Sequence, residues 1–493
     1  MGFVQRHELW SEAQHEAAAA IRVRARADLD VVRLAFADQH GILRGKAVLV
    51  DELDRVLDDG IGIVSSLLFK DTSGRTSVPI FAKGGALDIA ETRNAADMVM
   101  IPDPTTFRTL PWAPRTGWLL CDLRFANGQP VPFCSRSLLR RVIGQSADLG
   151  LELVVGLEVE FHLFALADAK LGLSDIGQPS APPDVVHLNR GYQLLCEQHL
   201  DEMSPILDAL RENLVGLGIP LRTIEVEFGP SQVELTVRAQ PGIASADTMV
   251  LLRSAVKQVA ARHGCHATFM CQPQIPQVFA SGWHLHQSLR RTLPTNPATP
   301  TDAHGTEGPR YENAFTPTVA ADALSDTGLQ YLAGLLAHAR GTSAFSTPTI
   351  NGYKRFRPYS LAPDRVAWGA ENRGAMVRVV GSANVDTVHI ENRLGEPAAN
   401  PYLYIASQLV AGLDGIRREL DPGPPTSEPY DTPATLLPSS LAEALCALDE
   451  DAGLREGMGE HFVDYYLALK RAEVARFEAT VTDWEQREYF GLF

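Results

Sequence analysis

The segment GLEVEFHLF, residues 156–164, places two carboxylates, Glu158 and Glu160, inside an apolar run. In a strand, residues i and i+2 point to one face of the sheet. Glu158 and Glu160 then stand side by side, while Val159, Phe161 and Leu163 take the opposite face. Adjacent anions on a sheet face repel each other and lose hydration. A chain that builds such a strand has to bring something positive to it, either an arginine cluster or a divalent metal.

The same parity recurs further along. EVEFGPSQVEL offers Glu227 and Glu234 on either side of a Gly-Pro kink, SGWHLHQSL offers His284 and His286, and VHIENR offers Glu391 and Arg393. Each pattern alone suits an ordinary solvated sheet face or a satisfied histidine. Five glutamates and one histidine on strands in apolar surroundings make a joint pattern. Such an oxygen-rich set with imidazole suits Mg²⁺ or Mn²⁺ rather than thiolate-bound zinc. Arginines supply the other half: Arg355 in NGYKRFRP, Arg373 and Arg378 in ENRGAMVRVV, and Arg393 beside Glu391. Arginine grips carboxylates and phosphates bidentately and stays charged. Divalent ions facing several arginines suggest phosphoryl chemistry on an anionic substrate.

The remaining properties narrow the class. The chain has 493 residues, of which 45% are hydrophobic and 21% charged, enough for a large core and more than one domain. A net charge of -16 argues against a nucleic-acid surface. The 6 cysteines form no CxxC pair or framework, which fits reduced thiols and a cytoplasmic setting. No secretory signal and no membrane-length apolar run is read, and Gly2 lacks a myristoylation context because Arg6 follows it.

Residues 9–28 read as a helix and 30–50 as strand, turn, strand around DQHG, with Asp38 at the turn. A domain boundary is placed near 125, giving an N-terminal domain over 1–125 and a catalytic domain over 126–493. Further strands are expected at 223–237 and 280–289. Helices are expected at 199–217, 245–263, 326–341 and 439–480, with Pro/Thr-rich loops at 290–310 and 420–437. Strands and helices alternate without a βαβ rhythm, so the expected class is α+β with a mainly antiparallel sheet.

These motifs, with PTINGYKRFRP, IENRLGEPAANPYLYIASQLVAGLDGI and the earlier ADMVMIPDPTTFRTLPW, resemble the successive signatures of class I glutamine synthetase from about residue 30 to the end. The resemblance implies an N-terminal β-grasp domain, a large catalytic domain with a curved antiparallel sheet, ATP as substrate, and two or three Mg²⁺ or Mn²⁺ ions per site. It also implies a ring homo-oligomer, commonly a dodecamer of two stacked hexamers, with active sites shared between neighbours. Carried over by motif, Glu160, Glu227 and Glu234 would hold a first metal and Glu158, His284 and Glu391 a second. His286 and Ser288 match nucleotide contacts, to which Arg378 is added. Arg373 and Arg378 match the arginines that steady the phosphoryl group in flight. Arg355 matches the grip on the α-carboxylate of glutamate, and Arg393 lies near its γ-carboxylate. Asp38 matches an aspartate donated across the subunit boundary, and Tyr192 an aromatic near the amine pocket.

The sequence also departs from the ammonia-using pattern. Leu361 stands where a flap glutamate would deprotonate ammonium, Phe279-Ala280 replaces an Asn-Gly pair, Trp283 precedes His284, Glu225-Val226-Glu227 replaces a His-His-Glu run, and His389 replaces an arginine. An apolar flap suits an amine that is already neutral at pH 7. The expectation is therefore the γ-glutamyl-amine ligase branch: ATP-dependent joining of the γ-carboxyl of L-glutamate to an organic amine, with an aromatic amine such as aniline favoured. A γ-glutamylpolyamine (putrescine) synthetase, an ammonia-using glutamine synthetase and a catalytically inactive structural or regulatory relative stand as alternatives. Tyr430, near a position adenylylated in some bacterial enzymes, is read as an ordinary loop tyrosine.

Overall fold

A computed structural model of the chain describes residues 1–168, 170, 172–293, 310–319, 323–381 and 387–493. Most of the expected 290–310 loop lies outside the described residues. Two sheets organise the molecule. The first contains β1 (Val31–Ala37), β2 (Leu43–Leu49), β3 (Ile61–Val64), β4 (Asp97–Pro102), β5 (Arg108–Thr109) and β6 (Thr116–Arg124). Its order is β2-β1-β6-β4-β3, with β5 on β6; β1 and β6 run parallel and the other neighbours antiparallel.

Helix Glu12–Asp28 packs on this sheet by Ile21 and Ala25. It starts at Ser11, whose hydroxyl accepts from Gln14 N while the Gln14 side chain caps Ser11 N. The β1–β2 turn is closed by Asp38 Oδ1, which accepts from the backbone N–H groups of His40 and Ile42. Gly41 sits there at φ 71°, and a Cβ at that position would lie 2.6 Å from the Arg253 guanidinium.

The second sheet carries the carboxylates. It comprises β7 (Leu151–Leu166), β8 (Val185–His187), β9 (Leu221–Val226), β10 (Gln232–Pro241), β11 (Cys265–Thr268), β12 (Trp283–Thr292), β13 (Tyr311–Asn313), β14 (Trp368–Ala370), β15 (Val377–Val380) and β16 (His389–Gly395). The spine order is β14-β15-β16-β12-β7-β10-β9, antiparallel except for β14 and β15. The class is α+β with a mainly antiparallel catalytic sheet, as expected. Strand β7 is central, pairing with β10 and β12 along its length and with β8 and β11 at its end. Val159, Phe161 and Leu163 are fully buried on one face of β7, facing the helical layer; each contributes about 1.5–3 kcal/mol by burial. The other face holds Glu158 and Glu160.

Two boundaries differ from the sequence reading. The expected 223–237 strand is broken: β9 ends at Val226 and β10 starts at Gln232, so Glu227 lies in the connecting turn rather than on a strand. Gly229 and Pro230 interrupt the ladder there, because proline has no N–H to donate. The expected 326–341 helix is two helices, Asp326–Ala337 and Ala339–Ser346, separated at His338.

His338 is a buried junction. Its Nδ1 lies 2.7 Å from Asp451 and its Nε2 2.9 Å from Asp414, on the helix Pro401–Arg417. Burial opposes its charge, but the bonds to Asp451 and Asp414 outweigh burial and raise its pKa. A raised histidine pKa contributes stability that is fully present below the ordinary value and is lost as pH rises through the folded value. His338→Gln is expected to cost about 1–3 kcal/mol. In denaturant titrations, the gap to wild type should be widest near pH 6 and shrink as pH climbs. A pH-independent gap would contradict this assignment.

Candidate active site

The cross-strand register assembles the acids. Glu158 on β7 is directly opposite His284 on β12, and Glu160 is opposite Glu234 on β10. Glu391 on β16 faces His286 on β12 and Arg378 on β15. Five strands therefore deliver these residues to one sheet face with no long-range search, because antiparallel partners stand only about 4.5–5.5 Å apart.

Glu158 is the hub. Its Oε1 lies 2.7 Å from His284 Nδ1 and its Oε2 3.0 Å from His286 Nε2. Burial would raise its pKa, but the two imidazole bonds hold it well below the usual carboxylate range. Glu391 is also kept ionised. Burial is outweighed by the charges of His284, Arg393 and His286, and its carboxylate contacts Arg393 and, at 3.0 Å, Arg378. His284 is pushed down by burial and by Arg393.

Glu160, Glu227 and Glu234 differ: none has an ion-pair partner among the described residues. Burial and then the charge of Glu227 push Glu160 up to about 8. Burial and then Glu158, Glu160, Glu227 and Glu225 push Glu234 up to about 10. Glu227 is raised too, chiefly by burial. This is a pocket of surplus negative charge of the kind a divalent cation relieves.

Ligand atoms converge as Glu158, Glu234 and His284 in one group and Glu158, His286 and Glu391 in another, each group within 4.8 Å. The grouping differs from the expected split. Glu158 is common to both, and His286, assigned by resemblance to the nucleotide, reaches in because its Nε2 meets the free oxygen of Glu158. His286 Nδ1 in turn lies 2.9 Å from His389 Nε2, the position where an arginine was expected, and the Thr387 carbonyl accepts from His389 Nδ1 at 2.6 Å. Ser288 is two residues further along β12 on the same face as His284 and His286.

Glu158, Glu160, Glu227, Glu234, His284, Arg355, Arg373, Arg393 and Leu361 line one cavity of about 780 Å³. Arg355 is buried, and one end of its guanidinium is fixed by donating to the carbonyls of Arg393, Leu394 and Gly395. A Cβ on Gly282 would lie 3.1 Å from the other end of that guanidinium and 3.3 Å from His284 Nε2, so glycine keeps this approach open. Arg378 contributes through Glu391 and Glu371.

The flap region is apolar and strained. Leu361 is exposed at φ 61° and Tyr359 stands at φ 60°, both in the left-handed region that costs non-glycine residues about 1–2 kcal/mol each. Tyr192 donates to the Gln277 carbonyl at 2.6 Å and packs edge-on to Phe228 at 5.4 Å, which in turn packs edge-on to Phe279 at 5.3 Å. Phe228 and Phe279 line the cavity, while Tyr192 supports them from behind. Asp38 is not among the lining residues; it is buried and bonded to Arg44 at 2.8 Å.

Three residues escaped the sequence reading. Gln232 donates to Glu160 Oε2 at 2.9 Å and to Ser281 Oγ at 3.0 Å, and its carbonyl oxygen accepts from Gly229 N, so it fixes both Glu160 and the turn bearing Glu227. Its i, i+2 relation to Glu234 was the available signal. Phe228 follows Glu227 and carried no signal of its own. Tyr430, read as an ordinary loop residue, donates to the Ala362 carbonyl at 3.1 Å and packs on Tyr359 at 5.1 Å, tying down the Leu361 loop.

A curved antiparallel sheet with paired acid clusters on one face and arginines around a shared cavity is the catalytic module of a carboxylate-activating ligase. The profile "Glutamine synthetase, catalytic domain" matches residues 132–489, and the chain belongs to the glutamine synthetase family. It is 40% identical to the gamma-glutamylanilide synthase of an Acinetobacter species, over 100% of this chain and 99% of the relative. It is 31% identical to the glutamate–isopropylamine ligase of a Pseudomonas species, over 94% and 96%. The solved GmaS/ADP complex superposes with a TM-score of 0.77 at 28% identity, covering 96% of this chain and 99% of that one.

The raised carboxyls give a direct test. With no ion bound, Glu160 and Glu234 hold protons that the unfolded chain would release, so their contribution to stability falls as pH rises from the ordinary value of 4.5 towards about 10. Mn²⁺ added at pH 7 should expel protons from Glu160 and Glu234. Calorimetry in two buffers of different ionisation enthalpy would count them, and Glu234→Gln should remove about one. Proton release unchanged in that variant would contradict the charge assignment.

Proposed function

We propose that this chain is an ATP-dependent ligase that condenses the γ-carboxyl of L-glutamate with an organic amine, preferentially an aromatic amine such as aniline. The observation that carries this reading is one cavity in which surplus carboxylates, arginines and an apolar aromatic wall meet. The likeness to a gamma-glutamylanilide synthase and a glutamate–isopropylamine ligase supports it.

A carboxylate is a poor acyl donor because oxide would have to leave. In the proposed reaction a γ-carboxylate oxygen attacks the terminal phosphorus of ATP and ADP departs, leaving γ-glutamyl phosphate. The amine nitrogen then attacks the carbonyl carbon, inorganic phosphate leaves with the C–O electron pair, and the nitrogen loses a proton to give the amide. The chain supplies position and charge rather than a nucleophile. Arg355, pre-set by three carbonyls, holds the α-carboxylate, and Arg393 stands by the γ-carboxylate. Arg373 and Arg378 meet the phosphoryl group, with His286 and Ser288 towards the nucleotide.

The family works with ATP and divalent metal, and the donor set fits Mg²⁺ or Mn²⁺. Glu160, Glu227 and Glu234 would hold one ion and Glu158, His284 and Glu391 another, with room in the family scheme for a third. When bound, such ions neutralise the phosphates and the carboxylates around them. Phe279, Phe228 and Leu361 form the amine pocket, braced from behind by Tyr192, and exclude water. An arylamine enters already neutral, so no flap base is needed.

The reading extends to assembly. Asp38 is held away from this cavity within its own chain, which supports donation to a neighbour's site in a ring homo-oligomer, commonly a dodecamer. A division near residue 125 is supported by two sheets that share no strand. Six free cysteines support a cytoplasmic setting, and no helix among the described residues is long and apolar enough to cross a membrane.

Phosphate release across an amine panel tests the reading. Turnover, as kcat/KM, should rank aniline above putrescine and ammonia. Leu361→Glu should lower the aniline value about 10–200-fold while ammonia gains relative to it. Turnover with putrescine or ammonia but not aniline would overturn the aromatic preference, and no ATP- or Mn²⁺-binding at all would overturn the ligase reading.

A further inference from the structure

Glu396 follows directly on β16 and is a fully buried acid to which the reaction above gives no part. No cation is bonded to it among the described residues. Burial pushes its carboxyl up to about 7, against the bonds it receives from Thr349. An acid at this depth is costly unless hydrogen bonds meet it. The bonds that meet Glu396 all come from the loop that bears Arg355.

Both oxygens serve one residue of that loop. Oε1 accepts from Thr349 N at 2.7 Å and Oε2 from Thr349 Oγ1 at 2.8 Å. Thr349 Oγ1 in turn accepts from Gly352 N at 3.1 Å, at the start of the single turn Gly352–Arg355. The backbone of Glu396 adds a third tie, its N–H donating to the Ser346 carbonyl at 2.9 Å. The fit is close. A Cβ on Gly352 would lie 2.7 Å from Glu396 Oε2 and 2.5 Å from Thr347 Cγ2, so glycine lets the turn lie against the carboxyl.

The far end of the turn is fixed to the backbone just ahead of Glu396. Arg355 donates to the carbonyls of Arg393, Leu394 and Gly395, and Thr347 Oγ1 donates to the Leu394 carbonyl at 2.9 Å. Strand end, guanidinium, turn and Glu396 therefore close a ring. Asn351 holds the outer side of the loop to Gln272 by two bonds, of 2.8 and 3.0 Å, so loss of Glu396 would tilt the turn rather than release it. Neither Glu396 nor Thr349 lines the cavity that Arg355 enters, so their influence on a substrate there passes through the turn.

We propose that Glu396 is a positioning residue: through Thr349 it sets the turn Gly352–Arg355 so that the free end of the Arg355 guanidinium meets the α-carboxylate of L-glutamate. The proposal rests on the role given to Arg355 above. An arginine–carboxylate pair is directional, so a tilt at the base of Arg355 weakens the grip. Packing alone does not account for the acid, because apolar side chains of similar volume hold a core at least as well.

Steady-state phosphate release with the best amine of the panel tests it. Glu396→Ala should raise the KM for L-glutamate about 10–100-fold, with kcat and the KM for ATP little changed. Thr349→Val keeps the side-chain volume and loses only the hydroxyl, and should raise the same KM about tenfold. Glu396→Gln, whose amide can serve both groups of Thr349, should recover most of the loss. In an Arg355→Lys background Glu396→Ala should add no further rise, because the two act through one contact. Three results would each overturn the proposal: a KM for L-glutamate that Arg355→Lys raises and Glu396→Ala does not, a joint rise in both KM values, or a full further rise in the Arg355→Lys background. Arg355→Lys with an unaltered KM for L-glutamate would overturn the role given to Arg355, and the proposal with it.

Discussion

The register of β7 against β10 and β12 sets the rest of the molecule. By placing Glu158 opposite His284 and Glu160 opposite Glu234, it forces acids together on a sheet face at strand-pair spacing. A one-residue slip would turn all of them to the other face and bring Val159, Phe161 and Leu163 out of the core. The site and the core therefore depend on the same hydrogen bonds, and neither can drift without the other.

That arrangement is costly by itself, and the structure shows how the cost is divided. On the Glu158–Glu391 side, imidazoles and guanidiniums compensate, so both carboxylates stay ionised. On the Glu160–Glu234 side no cation pairs with the carboxylates among the described residues, and the carboxyls hold protons instead. The second side reads as a site awaiting cations, and the first as one already partly balanced. Gln232 stiffens the second side by bonding Glu160 and clamping the turn that carries Glu227. The apolar Leu361 loop, held in a left-handed conformation and tied by Tyr430, closes the other side of the same cavity.

Much of this was legible in the sequence because strands have a period of two and the acids obey it. The α+β class, the central strand, His284 and the acid set all follow from parity and apolar context. What parity could not give was the break at Gly229-Pro230, which removes Glu227 from the ladder, or the proton chain that draws His286 and His389 into contact. Those depend on which side-chain atoms meet across strands distant in sequence. The partners of Tyr430 were hidden for the same reason: Ala362 and Tyr359 lie about seventy residues upstream, a range at which local composition carries no information. The helix break at His338 was also invisible, because two aspartates from separate segments stabilise it.

Anomalous diffraction from crystals grown with Mn²⁺ and ADP is the most direct test of the central claim. The account predicts one manganese peak among Glu160, Glu227 and Glu234 and another among Glu158, His284 and Glu391, with Arg378 or Arg393 displaced from the Glu391 carboxylate. Crystals showing no manganese at these glutamates, with Glu391 still closed on both arginines, would contradict it.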